Sequence, residues 1–142
     1  MAPEPLFFQI EQDGFTIEAL CQQMGDDYLL SIWGGEAHIG AMAMAQPRAS
    51  LRDPAKRSAT ASVFCYVGHK EDQLVKEVSE RLASALDAKV AVAAGLHWDD
   101  LTPEGVAAVT RNVDLLVEKI LKTIKIDKNQ TRTPFTPRLE HR

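Results

Sequence analysis

The stretch Thr60–Gly95, TASVFCYVGHKEDQLVKEVSERLASALDAKVAVAAG, changes its hydrophobic period twice, and that change decides the fold. Residues 60–67 are rich in β-branched and aromatic side chains and stop at Gly68-His69, as a strand does. From Lys70 to Asp87 the apolar positions Leu74, Val78, Leu82 and Leu86 recur every four residues, which predicts an amphipathic helix. Residues 89–94 return to a short β run that ends at Gly95. A strand, a returning helix and a second strand running the same way as the first follow from this order.

Upstream, residues 5–46 read as a β meander whose strands, about 6–11, 15–22, 28–33 and 38–45, are separated by Asp13-Gly14, Gly25-Asp26-Asp27 and Gly34-Gly35. In the fourth strand Ile39, Ala41, Ala43 and Ala45 share one side, and His38, Gly40, Met42 and Met44 the other. Both sides are small or apolar, which suits a central strand. Gln46–Ser58 holds Pro47, Pro54, Arg48, Arg52, Asp53, Lys56 and Arg57, and reads as a long exposed loop. Downstream, Thr102 and Pro103 supply an N-cap and a first helical residue for a second helix. Its apolar stripe is Val106, Val109, Val113, Leu116, Val117, Ile120 and Ile124.

The resulting order, β-β-β-β-loop-β-α-β-α, predicts an α+β fold: a mixed, mostly antiparallel sheet with two helices on one face. Residues 1–126 are expected to form the single domain and 127–142 a flexible polar tail. The other sheet face, small and apolar, is expected to be covered by a second copy in a homodimer.

With 142 residues, 45% hydrophobic and 25% charged, the chain has the composition of one globular domain. A net charge of −4 gives no Lys/Arg surplus for a phosphate backbone, so nucleic acid is not an expected partner. No apolar run reaches the roughly 18–20 residues of a membrane span, and Met1-Ala2-Pro3-Glu4-Pro5 lacks a secretory signal; the expected location is the cytoplasm. Cys21 and Cys65 sit in strand segments without CxxC spacing and read as small buried hydrophobes. Walker, GxGxxG and GxSxG motifs are absent.

Chemistry is expected at one rim of the sheet. Alternating strand directions bring His38, His69 and His97 to the same edge, each beside a glycine turn. Singly, each histidine is a strand-end cap; together they can grip a ligand's phosphate or ring edge, or a divalent metal. The segment Arg48-Ala49-Ser50-Leu51-Arg52 interleaves guanidinium groups with a hydroxyl, a pattern suited to phosphate or carboxylate. It leaves the sheet at the opposite rim, so it reaches the histidines only by folding back or from a second subunit. Trp33 and Trp98 flank the histidine rim and offer a stacking surface for a flat heterocycle.

Four blocks in this order resemble a known family: His38-Ile39-Gly40, Gln46–Asp53, Gly68–Asp72 and Gly95–Glu104. They are similar to the prenylated-flavin chaperone-like family, the small D-type subunit of gallate and hydroxybenzoate decarboxylases. The resemblance covers about residues 14–122. It implies a non-catalytic accessory protein that binds prenylated FMN, or FMN, between a flavin prenyltransferase and a large prenylated-flavin-dependent decarboxylase. His38, Arg48, Ser50, Arg52, His69 and His97 are the matching positions, and Trp98 joins them as a cofactor-binding candidate. The alternative from the residues alone is a small metal-dependent hydrolase or lyase using His38, His69 and His97; a purely structural subunit is the third reading.

Overall fold

A computed structural model describes residues 3–130 of the chain. Asp13 and Gly14 both take positive φ, 57° and 80°, the pair of left-handed residues that a two-residue hairpin accepts. They join β1 (Leu6–Gln12) to β2 (Phe15–Met24), and β3 (Asp27–Gly35) completes the meander. A second hairpin, β4 (Ala41–Ala49) with β5 (Arg57–Cys65), is followed by α1 (Asp72–Leu86), β6 (Val90–His97) and α2 (Pro103–Gln130). The strand order is β1-β2-β3-β6-β4-β5. β6 runs parallel to β3 and antiparallel to β4, and the remaining pairs are antiparallel. The fold is therefore α+β with a mixed, mostly antiparallel sheet.

Strand alternation sorts the side chains into two faces. Ile17, Ala19 and Cys21 of β2, Leu30 and Ile32 of β3, Ala41, Ala43 and Ala45 of β4, and Val90 and Val92 of β6 are buried on the helix side. α1 lies over β4, β5 and β6, while α2 lies over β1 and β2 and touches α1. The three alanines of β4 leave room for α1 to approach, and Val75, Val78, Leu82 and Leu86 fill that room. Cys21 is buried on the same side of the sheet, on a strand that α2 covers, and desolvation pushes its thiol pKa up to about 11. Both cysteines are free.

The opposite face carries Phe7, Leu20, Met42, Met44 and Phe64, with Phe7, Met44 and Phe64 exposed by 56%, 67% and 63%. Strand register places Phe7, Leu20, Ser31, Ala93, Met42 and Phe64 in one row across the sheet. Trp33 is half-buried on this face, 6.5 Å from the Phe7 ring, and not at the histidine rim.

Three elements differ from the sequence expectation. β4 starts at Ala41 and not at His38, because residues 37–40 form an irregular approach in which Ile39 is exposed and Gly40 buried. At its far end β4 continues through Pro47 to Ala49, and β5 begins at Arg57, so the loop shrinks to residues 50–56. Beyond Ala45 β4 has only β5 beside it, a place where a strand tolerates the proline's missing N–H. α2 runs on through Gln130, past the expected domain end at Ile126; residues 131–142 of the expected tail lie outside the described residues. Among the described residues no helix is long and apolar enough to cross a membrane.

The first turns of α2 also bury a different stripe. Val106 is exposed, whereas Ala108 and Asn112 are buried. Thr102 Oγ1 accepts from the Gly105 amide at 3.0 Å and caps the helix as expected. Asn112 is fully buried, and its Nδ2 donates to the carbonyls of Gln12 and Phe15, each at 2.9 Å. One side chain thus pins α2 to the first hairpin. Asn112→Ala leaves two carbonyls without that donor and should lower stability by about 1–3 kcal/mol in a urea melt. A loss within 0.5 kcal/mol would mean that water replaces the amide.

Candidate functional site

β6 ends beside two turns that the chain has already made, and the contact is close because two glycines allow it. Gly40 N donates to Ala94 O and Tyr66 N to Gly40 O, each at 2.9 Å, so the approach to β4 is clipped between β6 and the end of β5. A Cβ on Gly95 would collide with the backbone carbonyl of His38, and one on Gly40 with the Glu71 carboxylate. Glu36 N donates to His97 O at 2.9 Å and closes the same end of the sheet.

Within this frame the His38 ring is held at both nitrogens. Nδ1 lies 2.9 Å from the Glu36 carbonyl and Nε2 lies 2.9 Å from Glu71 Oε1. A carbonyl only accepts, so Nδ1 carries a hydrogen. Nε2 then either holds a second proton against the carboxylate or turns its lone pair toward the same space. The His69 ring lies beside it, with centroids 4.8 Å apart and planes 30° from parallel. His69 itself is exposed; its amide donates to Tyr66 O, and its carbonyl accepts from the Cys65 thiol at 3.2 Å.

Glu71 is the residue that sequence reasoning passed over. It occupies the N-cap position of α1, is 8% exposed, and turns its carboxylate inward instead of capping the helix. Oε2 accepts from Lys70 N at 3.1 Å and Oε1 from Leu96 N at 3.3 Å. A buried carboxylate needs such donors to offset its desolvation. The available signal was its position: two residues after His69, opening a predicted helix.

These groups border a cavity of about 640 Å³, within the usual range for small-ligand sites. His38, His69, His97, Trp98, Lys70 and Glu71 line it. His97 Nε2 lies 3.0 Å from Asp99 Oδ1, and Trp98 packs edge-on against Phe15 with centroids 5.2 Å apart. The structure therefore brings His38, His69, His97 and Trp98 around one space. It does not bring Arg48, Ser50 and Arg52 there.

Arg48 stands near the far end of β4, and Ala41 and Arg48 are separated by about 23 Å at roughly 3.3 Å per strand residue. Its Nε donates to Thr60 Oγ1 at 2.7 Å. Ser50 Oγ accepts from the Arg52 and Asp53 amides and is used up in shaping the loop, while Arg52 points into solvent. Thr60 also borders a second hollow of about 540 Å³ on the uncovered face, lined by Leu29, Met44, Gln46, Lys89 and Ala91 among others.

The protein is thus a small α+β domain with a cavity of small-ligand size at the histidine end of its sheet. Residues 11–125 match the family described as the prenylated flavin chaperone LpdD-like domain, and the chain belongs to that family. It is 24% identical over 128 residues to Protein LpdD of Lactiplantibacillus plantarum (strain ATCC BAA-793 / NCIMB 8826 / WCFS1), covering 89% of this chain and 90% of that protein. A solved structure described as a novel chaperone complex for yeast 20S proteasome assembly aligns with a TM-score of 0.56, covering 87% of this chain and 95% of that one. At 13% identity this likeness is one of fold.

The two glycines should differ on mutation. Gly95→Ala sets a Cβ against backbone that cannot swing away, and should lower stability by about 1–3 kcal/mol in a denaturant melt. Gly40→Ala meets only a side chain; it should displace the Glu71 carboxylate and shift the His38 ring resonances with a smaller loss of stability. Unchanged ring resonances in Gly40→Ala would refute the close packing of carboxylate and imidazole described above.

Proposed function

We propose that the protein binds prenylated FMN, catalyses no reaction itself, and passes the cofactor to a large prenylated-flavin-dependent aromatic-acid decarboxylase or protects it for that enzyme. The flavin comes from a flavin prenyltransferase. One observation carries this reading: in a chain of the prenylated flavin chaperone family, three imidazoles and a tryptophan surround a cavity of ligand size. Imidazoles can donate to or accept from the ring nitrogens and carbonyls of a flavin, and the indole offers a stacking surface. Lys70 on the cavity wall supplies positive charge for an anionic tail.

Two copies pair through the uncovered sheet face, where Phe7, Met44 and Phe64 otherwise stand in water. A two-fold axis lying across the strands reverses β4 of one copy over β4 of the other. That arrangement sets Arg48 and Arg52 of one copy over the histidine end of the second, and makes them the phosphate ligands. Light scattering at tens of micromolar should give the mass of a dimer, and Met44→Asp should give that of a monomer. A monomer in the unaltered protein overturns the pairing.

Protein produced alongside an active flavin prenyltransferase should carry a flavin in native mass spectrometry and raise activation of the decarboxylase. Absence of both results overturns the chaperone reading. Arg48→Ala with Arg52→Ala should weaken flavin binding by about 2–5 kcal/mol if the pair is desolvated on the phosphate. Unchanged affinity would assign the phosphate to Lys70 or another group.

A further inference from the structure

The geometry points to a divalent transition-metal site formed by His38 Nε2, a ring nitrogen of His69 and the Glu71 carboxylate. One donor atom from each residue lies within 4.8 Å of the others. The donors come from two segments far apart in the chain: His38 from the approach to β4, and His69 and Glu71 from the connection between β5 and the start of α1. Such convergence is not a by-product of one helix or one loop.

The surroundings are those of ligands held in place. His38 Nδ1 donates to the Glu36 carbonyl, which leaves Nε2, facing Glu71, as the ring position that a proton or a metal ion can occupy. Backbone amides of Lys70 and Leu96 hold the two carboxylate oxygens. Among the described residues the ring nitrogens of His69 have no hydrogen-bond partner; the ring's contact is the neighbouring imidazole. A cation bound by one ring nitrogen of His69, His38 Nε2 and the carboxylate gives that unpartnered nitrogen a partner. Any proton on His38 Nε2 leaves when the ion binds.

Two imidazoles and one carboxylate select a borderline ion such as Zn²⁺ or Co²⁺ over Mg²⁺ or Ca²⁺, which favour oxygen sets. With three protein donors, the fourth tetrahedral position is open. All three donor residues line the cavity, so the ion would accept an oxygen or nitrogen donor from a small molecule bound there. His97, engaged with Asp99, lies outside the ligand set. The proposed set differs from the three-histidine set expected from strand directions in taking its third donor from the start of α1 and not from the end of β6. The inference stands on the side chains alone and is independent of the flavin reading.

The test uses metal-stripped, flavin-free protein titrated with Zn²⁺ by calorimetry, and with Co²⁺ followed by its visible d–d absorption. One ion per chain is expected, with the intense bands of four-coordinate Co²⁺ and no displacement by excess Mg²⁺. His69→Ala, a change at an exposed side chain, and Glu71→Gln, which keeps one acceptor oxygen for either the Lys70 or the Leu96 amide, should each weaken Zn²⁺ binding at least about 10-fold. His97→Ala should change it by less than about twofold. Absence of binding, or binding indifferent to His69→Ala and Glu71→Gln, overturns the proposal. So does a loss in His97→Ala as large as in the other two. Each result is read without flavin, so failure here leaves the cofactor-chaperone reading to its own test.

Discussion

β6 is the last strand in chain order, yet it takes a central place, hydrogen-bonded to β3 along one edge and to β4 along the other. A strand inserted between two others has no free backbone edge, so its register is fixed twice. Pairing Gly35 with His97 on one side and Ala41 with Ala94 on the other leaves no slack at the end of the sheet. Gly95 must then pass under the carbonyl of His38, and only a residue without Cβ fits. The same insertion carries the Leu96 amide to Glu71 and His97 and Trp98 to the cavity wall. A slip of one residue would turn Val90, Val92 and Ala94 out of the core and dissolve the site together with it.

The two sheet faces divide the work unequally. Both helices lie on one side, where β4 shows α1 nothing larger than alanine. At roughly 25 cal/mol per Å² of apolar surface removed from water, the valines and leucines of α1 and α2 supply the main stabilising term on that side. The uncovered face has the same strands but opposite parity, and there the larger side chains, Phe7, Met44 and Phe64, remain in solvent. Exposing these is unfavourable for an isolated domain, whereas the alanines of the inner face would tolerate exposure at little cost. The large residues sit where the fold by itself makes no use of them.

Element types, strand directions and the gathering of His38, His69 and His97 at one end were legible because period and alternation report burial directly. Leu82 and Ile120 show this well: each lies on its expected stripe and is buried. The reading failed where the burial signal was weak or came from elsewhere. Val106 was apolar but stands exposed at the hollow between α1 and α2, while Asn112 was polar yet had two hairpin carbonyls to meet. Pro47 and the charges around it looked like a loop, although a one-sided strand accommodates both. Trp33 and Trp98 were expected at the same rim; opposite parity sends the first to the uncovered face. Glu71 was missed for a different reason: its place two residues after His69 was legible, but no spacing rule links it to His38, thirty-three residues away, whose ring it meets.

Local rules are broken together at one place in this chain, and the breaks support one another. The N-cap residue of α1 forgoes its cap and buries a carboxylate, a step that costs several kcal/mol unless donors converge on it. Two backbone amides and an imidazole do converge, but only because residues 37–40 leave the strand pattern and Gly40 and Gly95 give up side chains that would have packed. An aliphatic residue in place of Glu71, with alanines at 40 and 95 suitably spaced, would make a simpler and drier sheet end. Sequences that fold well agree with themselves at every level, and concentrated exceptions fall where binding or chemistry demands them. The Arg48 end shows no such concentration: its guanidinium is satisfied by a threonine hydroxyl and a carbonyl, and its loop by Ser50. The concentration of exceptions therefore falls at the histidine end of the sheet, and it is this end, not the arginine end, that the fold has built at a cost to its own packing.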